Sequence, residues 1–213
     1  MTNAEYRYIE EVIGGGLAQS PCLEMGVAYS GPNAKVLVQS RGIKYIGTDM
    51  VPGRDVDYVA DFEAAPERVK DVFANVGEFG SVITAAILEH VFEPIKVLDN
   101  VFAVLRPGGT CVIIVPSVWP IHKYPIDCQR FNPDFFEEYT RRRGLRLIRE
   151  HFQYIGRKNV YECPDDKGRH ALPRPAEGRF ETLKSRLIHK LFNTYGRGMF
   201  FPSNVSIGAV IRK

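Results

Sequence analysis

The chain has 213 residues, 25% of them charged and 45% hydrophobic, with a formal net charge of +3. That is enough for one domain with a substantial core, and too little charge to argue for a nucleic-acid partner. No apolar stretch approaches the roughly 18 residues of a membrane span, and no charged-then-apolar leader opens the sequence, so a soluble, cytoplasmic protein without stable membrane insertion is expected.

In chain order, Tyr6, Ile9, Val12 and Ile13 recur at helical spacing and predict an N-terminal helix over 4–13, stopped by Gly14, Gly15 and Gly16. Residues 23–27 read as a first strand, 33–41 as a helix ended by Gly42, 44–49 as a second strand and 56–60 as a short third. A helix is expected over 66–76, and the apolar run 81–87 suits a strand buried on both faces. A helix over 94–105, a turn at Arg106 to Gly109 and a strand over 110–115 follow. Beyond Pro116 the pattern changes to a loop over 119–132, a helix over 133–143 stopped by Gly144, a further strand within 145–154 and a closing strand over 205–211. Strands alternating with helices imply βαβ units and a parallel sheet.

The stretch 156–204 is basic and begins Pro-rich, then carries Phe180, Leu183, Leu187, Leu191 and Phe192 on one helical face. Its readings are a helix packed on the sheet edge, a lid over an acceptor pocket, a homodimer contact or a surface helix touching anionic lipid. Cys22, Cys111, Cys128 and Cys163 form no CxxC pair, and the first two fall in expected strands, which reads as free core thiols.

The chemistry concentrates in two places. From Cys22 to Gly31 the chain reads as a strand, a small-residue turn and the approach to a helix, and the second strand closes on Asp49. An acidic residue about 20 positions after such a turn is placed to bind ribose hydroxyls. Gly26 and Ala28 leave room for a ligand against the backbone. Further along stand His90, after the fourth strand, and His122, after the fifth; both belong at the carboxyl edge of the sheet, where ligands bind in this architecture.

With the run Ile87-Leu88-Glu89-His90-Val91 and the turn Leu105-Arg106-Pro107-Gly108-Gly109, the chain resembles a class I S-adenosylmethionine-dependent methyltransferase of the small-molecule and glycan-modifying branch (type 11/23-like). The resemblance covers about residues 20–155 plus the terminal strand. His122, Pro125, Asp127, Arg130 and Phe131 are similar to an element of members linked to polysaccharide or natural-product biosynthesis. It implies a single α/β domain over 1–213: a Rossmann-like, doubly wound, mostly parallel sheet of about seven strands, with an antiparallel C-terminal strand and an insertion before it. It implies S-adenosylmethionine as cofactor, S-adenosylhomocysteine as product and a small-molecule acceptor methylated on oxygen or nitrogen.

Carried over by position, Glu24 and Gly26, with Val27 and Ala28 in the turn, would lie under the methionine part of the cofactor. Asp49 would take the ribose hydroxyls with Met50 packed on adenine, Asp61 would reach the adenine amino group beside the Phe62 backbone, and Ala85 and Ala86 would flank the transferring methyl. Two departures from the family pattern are Ala28 and Ser30 in place of glycines, and Gly80 in place of an aspartate.

A hydroxyl or amine acceptor benefits from a base, for which His122 and His90 are the candidates. His122 is favoured because Asp127 and Tyr124 are placed to orient it; the plainer reading is a loop histidine bonded to backbone or to Asp127. His90 reads equally as a helix cap or a pocket wall. Trp119 and Tyr124 offer flat faces to an acceptor, and Arg130 either binds its carboxylate or phosphate or stiffens the loop through Asp127 or Asp134. Some relatives with an ExxEH run bind a divalent cation here, but Ala86 replaces the first acid and no metal is expected. A non-catalytic partner subunit of the same fold, and less so an RNA methyltransferase, stand as alternatives. A nicotinamide dehydrogenase would leave Glu24 and the two later motifs unexplained.

Overall fold

The computed structural model describes residues 1–29, 31–119, 121–123, 126–156, 160–162 and 205–213, with backbone alone at 160–162. Helices α1 (Asn3–Gly14), α2 (Lys35–Ser40), α3 (Pro66–Val72), α4 (Pro94–Val104) and α5 (Pro133–Arg143) accompany nine strands. These are β1 (Cys22–Met25), β2 (Tyr45–Asp49), β3 (Tyr58–Val59), β4 (Phe79–Ala85), β5 (Leu105–Val118), β6 (Arg146–Leu147), β7 (Gln153–Gly156), β8 (Val160–Glu162) and β9 (Val205–Arg212).

One sheet runs β3-β2-β1-β4-β5-β9-β7-β8, with β6 paired to β9. The first five strands are parallel and β9 is antiparallel to β5. The fold is therefore the doubly wound, mostly parallel sheet with an antiparallel C-terminal strand, extended by the two-residue β6 and the outer β8. Strand alternation sends Leu23, Val82, Cys111, Ile113 and Ile211 to the core under α3, α4 and α5, and Cys22, Ile83, Val112, Ile114 and Val210 to the core under α1 and α2. Cys22 and Cys111 are buried free thiols, and burial pushes both well above the usual thiol range.

Strand order reverses at β1, whose neighbours β2 and β4 lie on opposite sides; this is the switch point outside which ligands bind in such sheets. The N-terminal helix is fixed there by a reciprocal cap, with Glu5 N–H donating to Thr2 Oγ1 and Thr2 N–H donating to Glu5 Oε2 at 2.6 Å. Glu5 Oε1 also accepts from Ser206 Oγ at 2.6 Å, tying α1 to the last strand.

Two expectations change, and a third falls outside the described residues. The helix after the first strand begins only at Lys35, because Glu24 rather than a local side chain satisfies the Ala34 N–H at its N-terminus. The strand expected within 145–154 is broken by a 3-10 turn at Arg149–His151 into β6 and β7. The apolar helical face at 180–192 and the proposed insertion or lid lie outside the described residues. Among the described residues no helix is long and apolar enough to cross a membrane.

The aspartate position taken by Gly80 has a packing reason. A Cβ there would stand 2.7 Å from Ser20 O and 2.9 Å from the Gln19 carbonyl carbon, so the segment leading into β1 closes onto β4 only over a glycine.

Candidate active site

A cavity of about 420 Å³ opens at the carboxyl ends of β1, β2 and β4. Of the ten residues assigned to a cofactor from the sequence, all but Ala28 line it. A shallower hollow beside α1 and α2, lined by Thr2, Tyr6, Lys35 and Arg54, includes none of those ten residues, and its lysine is already paired with Asp55 at 2.8 Å.

Glu24 is the third of four buried residues in β1, with only 3% of its surface exposed. Its oxygens accept the Ala34 N–H at 3.0 and 2.9 Å and the Tyr45 hydroxyl at 2.8 Å. Burial pushes its carboxyl up to about 7, against the opposing pull of those hydrogen bonds. Gly26, next along, has φ of +78°, and a Cβ there would lie 2.1 Å from Ile87 Cδ1. Part of the space that the sequence assigns to a ligand is thus filled by Ile87, and the glycine is needed for backbone and packing as well.

Asp49 closes β2. Its Oδ2 accepts the Ala28 N–H at 2.9 Å and its Oδ1 the Val51 N–H at 3.4 Å. A carboxylate has about four acceptor positions, so two remain for a cis-diol. Met50 stands 61% exposed beside it, an apolar surface open to a flat ring. Asp61 is exposed and spends one oxygen on the Glu63 N–H at 2.8 Å. Phe62 is buried against Phe73, and its carbonyl accepts from Asn100 Nδ2 at 2.8 Å.

Ala85 and Ala86 end β4. Ala86 has φ of +56°, uncommon for a residue with a Cβ, and its N–H donates to Ile114 O at 2.9 Å. The chain then enters a 3-10 turn, Leu88–His90, that carries Glu89 and His90. His90 lines the cavity, and its Nδ1 lies 2.5 Å from Ile126 O. His122 reaches it from the loop after β5, the two rings edge to face with centroids 5.0 Å apart. Behind His122, Asp127 Oδ2 accepts the His122 N–H at 2.6 Å and lies 3.4 Å from His122 Nδ1. Asp127 thus touches both the backbone and the ring of His122, as the orienting reading and the plainer loop reading both expect; Tyr124 lies outside the described residues.

Arg130 turns inward to the loop. Its guanidinium holds both oxygens of Asp127, and its Nε–H and Nη1–H donate to the Trp119 and Gln129 carbonyls. That hydrogen bonding holds the Asp127 carboxyl well below the usual carboxylate range. The loop-stiffening reading describes this arrangement. Trp119 stands 6.4 Å from His122 between ring centroids, part of the same cluster. The Arg141, Arg142 and Arg143 run is a solvated helix end, paired with Glu138 and Asp99.

Four positioning residues escaped sequence reasoning. Asn100, buried in an otherwise apolar helix face, ties down the Phe62 and Ala64 carbonyls. Glu63 accepts the Phe92 and Glu93 N–H groups at the start of α4. Gln129 donates to the Leu88 and Val91 carbonyls and so locks the His122 loop onto the 3-10 turn. Glu89 enters the sequence reading only in its motif and, with His90, as one of two possible cation ligands too few for a site, yet it is 1% exposed, its Oε2 has no hydrogen-bond partner, and burial pushes its carboxyl up to about 8. A lone polar residue inside an apolar run was the available signal for Asn100. The other three depend on contacts distant in sequence.

The family described as "Methyltransferase domain" matches residues 9–168. No curated protein matches the chain. Among solved structures, a SAM-dependent methyltransferase from Archaeoglobus fulgidus is 15% identical with a TM-score of 0.58, covering 98% of this chain and 92% of its own. The 1,6-didemethyltoxoflavin-N1-methyltransferase of Burkholderia thailandensis, solved with bound 1,6-didemethyltoxoflavin and S-adenosylhomocysteine, is 14% identical with a TM-score of 0.58 over 99% of this chain and 78% of its own. Phosphoethanolamine N-methyltransferase 2 of Haemonchus contortus, in complex with S-adenosyl-L-methionine, is 15% identical with a TM-score of 0.51 over 96% of this chain and 52% of its own. A family match of that extent, on a sheet shared with solved methyltransferases, makes this chain a member of the methyltransferase-domain family, class I and S-adenosylmethionine-dependent.

Proposed function

We propose that this protein transfers a methyl group from S-adenosylmethionine to an oxygen or nitrogen of a small-molecule acceptor in the cytoplasm, the acceptor being a sugar, a glycan precursor or a secondary metabolite. The observation that carries this reading is the convergence of Glu24, Asp49, Ala85, Ala86 and His90 on the wall of one cavity. The chain's residues fit the cofactor chemically. The Glu24 carboxyl, once ionised, suits an ammonium group, the spare acceptor positions of Asp49 suit a cis-diol, and exposed Met50 suits adenine.

When bound, S-adenosylmethionine supplies a methyl group on a positively charged sulfur. Methyl transfer is an in-line displacement, so the protein's main work is alignment. Small side chains at Ala85 and Ala86 leave the approach to the methyl group open. In this reading His90 and His122 are the groups that activate the acceptor atom, with Asp127 behind the second ring. Exposed Ile121 and Ile126 give that end an apolar rim.

The test is turnover: incubation with S-adenosylmethionine and a panel of sugars, nucleotide sugars and small phenols or amines, with S-adenosylhomocysteine quantified. Product formed with at least one small acceptor supports the reading. Cofactor binding with no product from any class of acceptor would favour the non-catalytic partner subunit instead.

A further inference from the structure

Glu89, His90 and His122 each present one ligand atom, and these atoms lie within 4.8 Å of one another. Glu89 and His90 come from the turn after β4, whereas His122 is brought in by the loop after β5. We propose that these three residues form a binding site for a single divalent transition-metal ion, at the acceptor end of the cavity. The absence of an acid at Ala86 had argued against a metal from sequence; the arrival of His122 supplies a third ligand that spacing could not reveal.

Two further observations point to a ligand. Glu89 Oε2 is buried without a hydrogen-bond partner, a state that costs about 1–3 kcal/mol for a polar group and more for a charge. His90 Nδ1 lies 2.5 Å from the Ile126 carbonyl, which requires the proton on Nδ1 and leaves the Nε2 lone pair as donor, 3.7 Å from Glu89 Oε1. Asp127 backs the His122 ring in the same way that carboxylates orient metal-binding imidazoles. Arg130 lies near enough to act on the Glu89 carboxyl through its charge while hydrogen-bonding Asp127 and two loop carbonyls, and Glu89 Oε2 itself has no hydrogen-bond partner.

Two imidazoles and one carboxylate select borderline ions such as zinc, iron or cobalt over magnesium and calcium, which prefer all-oxygen sets. Three protein ligands leave positions for an acceptor with two neighbouring oxygens, such as a vicinal diol or a hydroxy-carbonyl group. This role rests on the methyltransferase reading. The acceptor hydroxyl loses its proton to solvent, its oxygen bonds to the methyl carbon, and the carbon–sulfur bond breaks with its electron pair left on sulfur. The histidine pair then activates the acceptor through the ion.

The test uses the full chain, stripped with a chelator and titrated with Co(II), read by visible absorption and by calorimetry. The expected result is one ion per chain with ligand-field bands, the affinity falling about 100-fold in Glu89→Gln and in His122→Ala. Glu89→Gln keeps the shape of the buried side chain, and the thermal melt of each variant shows that it is folded. No stoichiometric binding, or binding unchanged in both folded variants, overturns the site. S-adenosylhomocysteine is titrated into the same samples. Cobalt binding without nucleoside binding would sink the methyltransferase reading and leave the metal site standing; the reverse would sink the metal site alone.

Discussion

The two ends of the cavity are built differently. At the Glu24 and Asp49 end, functional groups close strands β1 and β2, whose registers are locked to each other, Glu24 opposite Gly47 and Met25 opposite Thr48. At the His90 and His122 end, the groups sit on a 3-10 turn and a loop without regular structure, held by Gln129, Asp127 and Arg130. The rigid end suits a ligand common to a whole family. The loop end suits a component that differs among its members, because loop residues change without disturbing the sheet.

Breaking the loop end should leave the strand end untouched. His122→Ala is expected to lower turnover by about 100-fold or more while S-adenosylhomocysteine affinity stays within about threefold. Comparable losses in both would show that the two ends are not separable.

The strand end should declare itself through pH. Burial raises the Glu24 carboxyl from its ordinary 4.5 to about 7 in the folded protein, so the fold holds a proton there that the unfolded chain has released. This contribution to stability is fully present below pH 4.5, declines as pH rises through 7, and amounts to about 3 kcal/mol. Urea denaturation of wild type and Glu24→Gln across pH 4.5–8 should differ by that decline, with the flatter profile in the variant. Parallel profiles would contradict the assignment. Docking of a cofactor ammonium group should ionise Glu24 and release a proton, so affinity should tighten as pH rises toward 7.

Smaller effects sharpen the same contrast. Gly80→Ala is expected to cost about 2 kcal/mol in the denaturation midpoint, since the obstructing atoms are backbone rather than a movable side chain. An unchanged midpoint would mean that the 19–21 segment yields easily. Arg130→Lys, which loses the two-pronged grip on Asp127, should raise the acceptor KM a few-fold with no effect on cofactor affinity.

What the sequence disclosed follows the same division. The alternation of strands with helices, the helix at Pro133–Arg143 and the placing of Glu24 within the first strand and Asp49 at the end of the second depend on short-range periodicity, which one sequence carries in full. The histidine pair joins positions that periodicity does not relate, through backbone bonds such as Cys128 N–H to Glu89 O at 2.7 Å. Arg130 carried two readings in the sequence, an acceptor anion or a loop ion pair, and its i, i+3 partner Asp127 matches the second. The reason for Gly80 was likewise invisible, because it is the approach of Gln19 and Ser20 from another part of the chain.

The most direct test of the account is calorimetric titration of S-adenosylhomocysteine into wild type and Asp49→Ala. The account predicts micromolar binding by wild type, weakened about 100-fold in the variant through loss of two charge-assisted hydrogen bonds, with the thermal melt nearly unchanged. Absence of binding by wild type, or equal binding by both proteins, would contradict it.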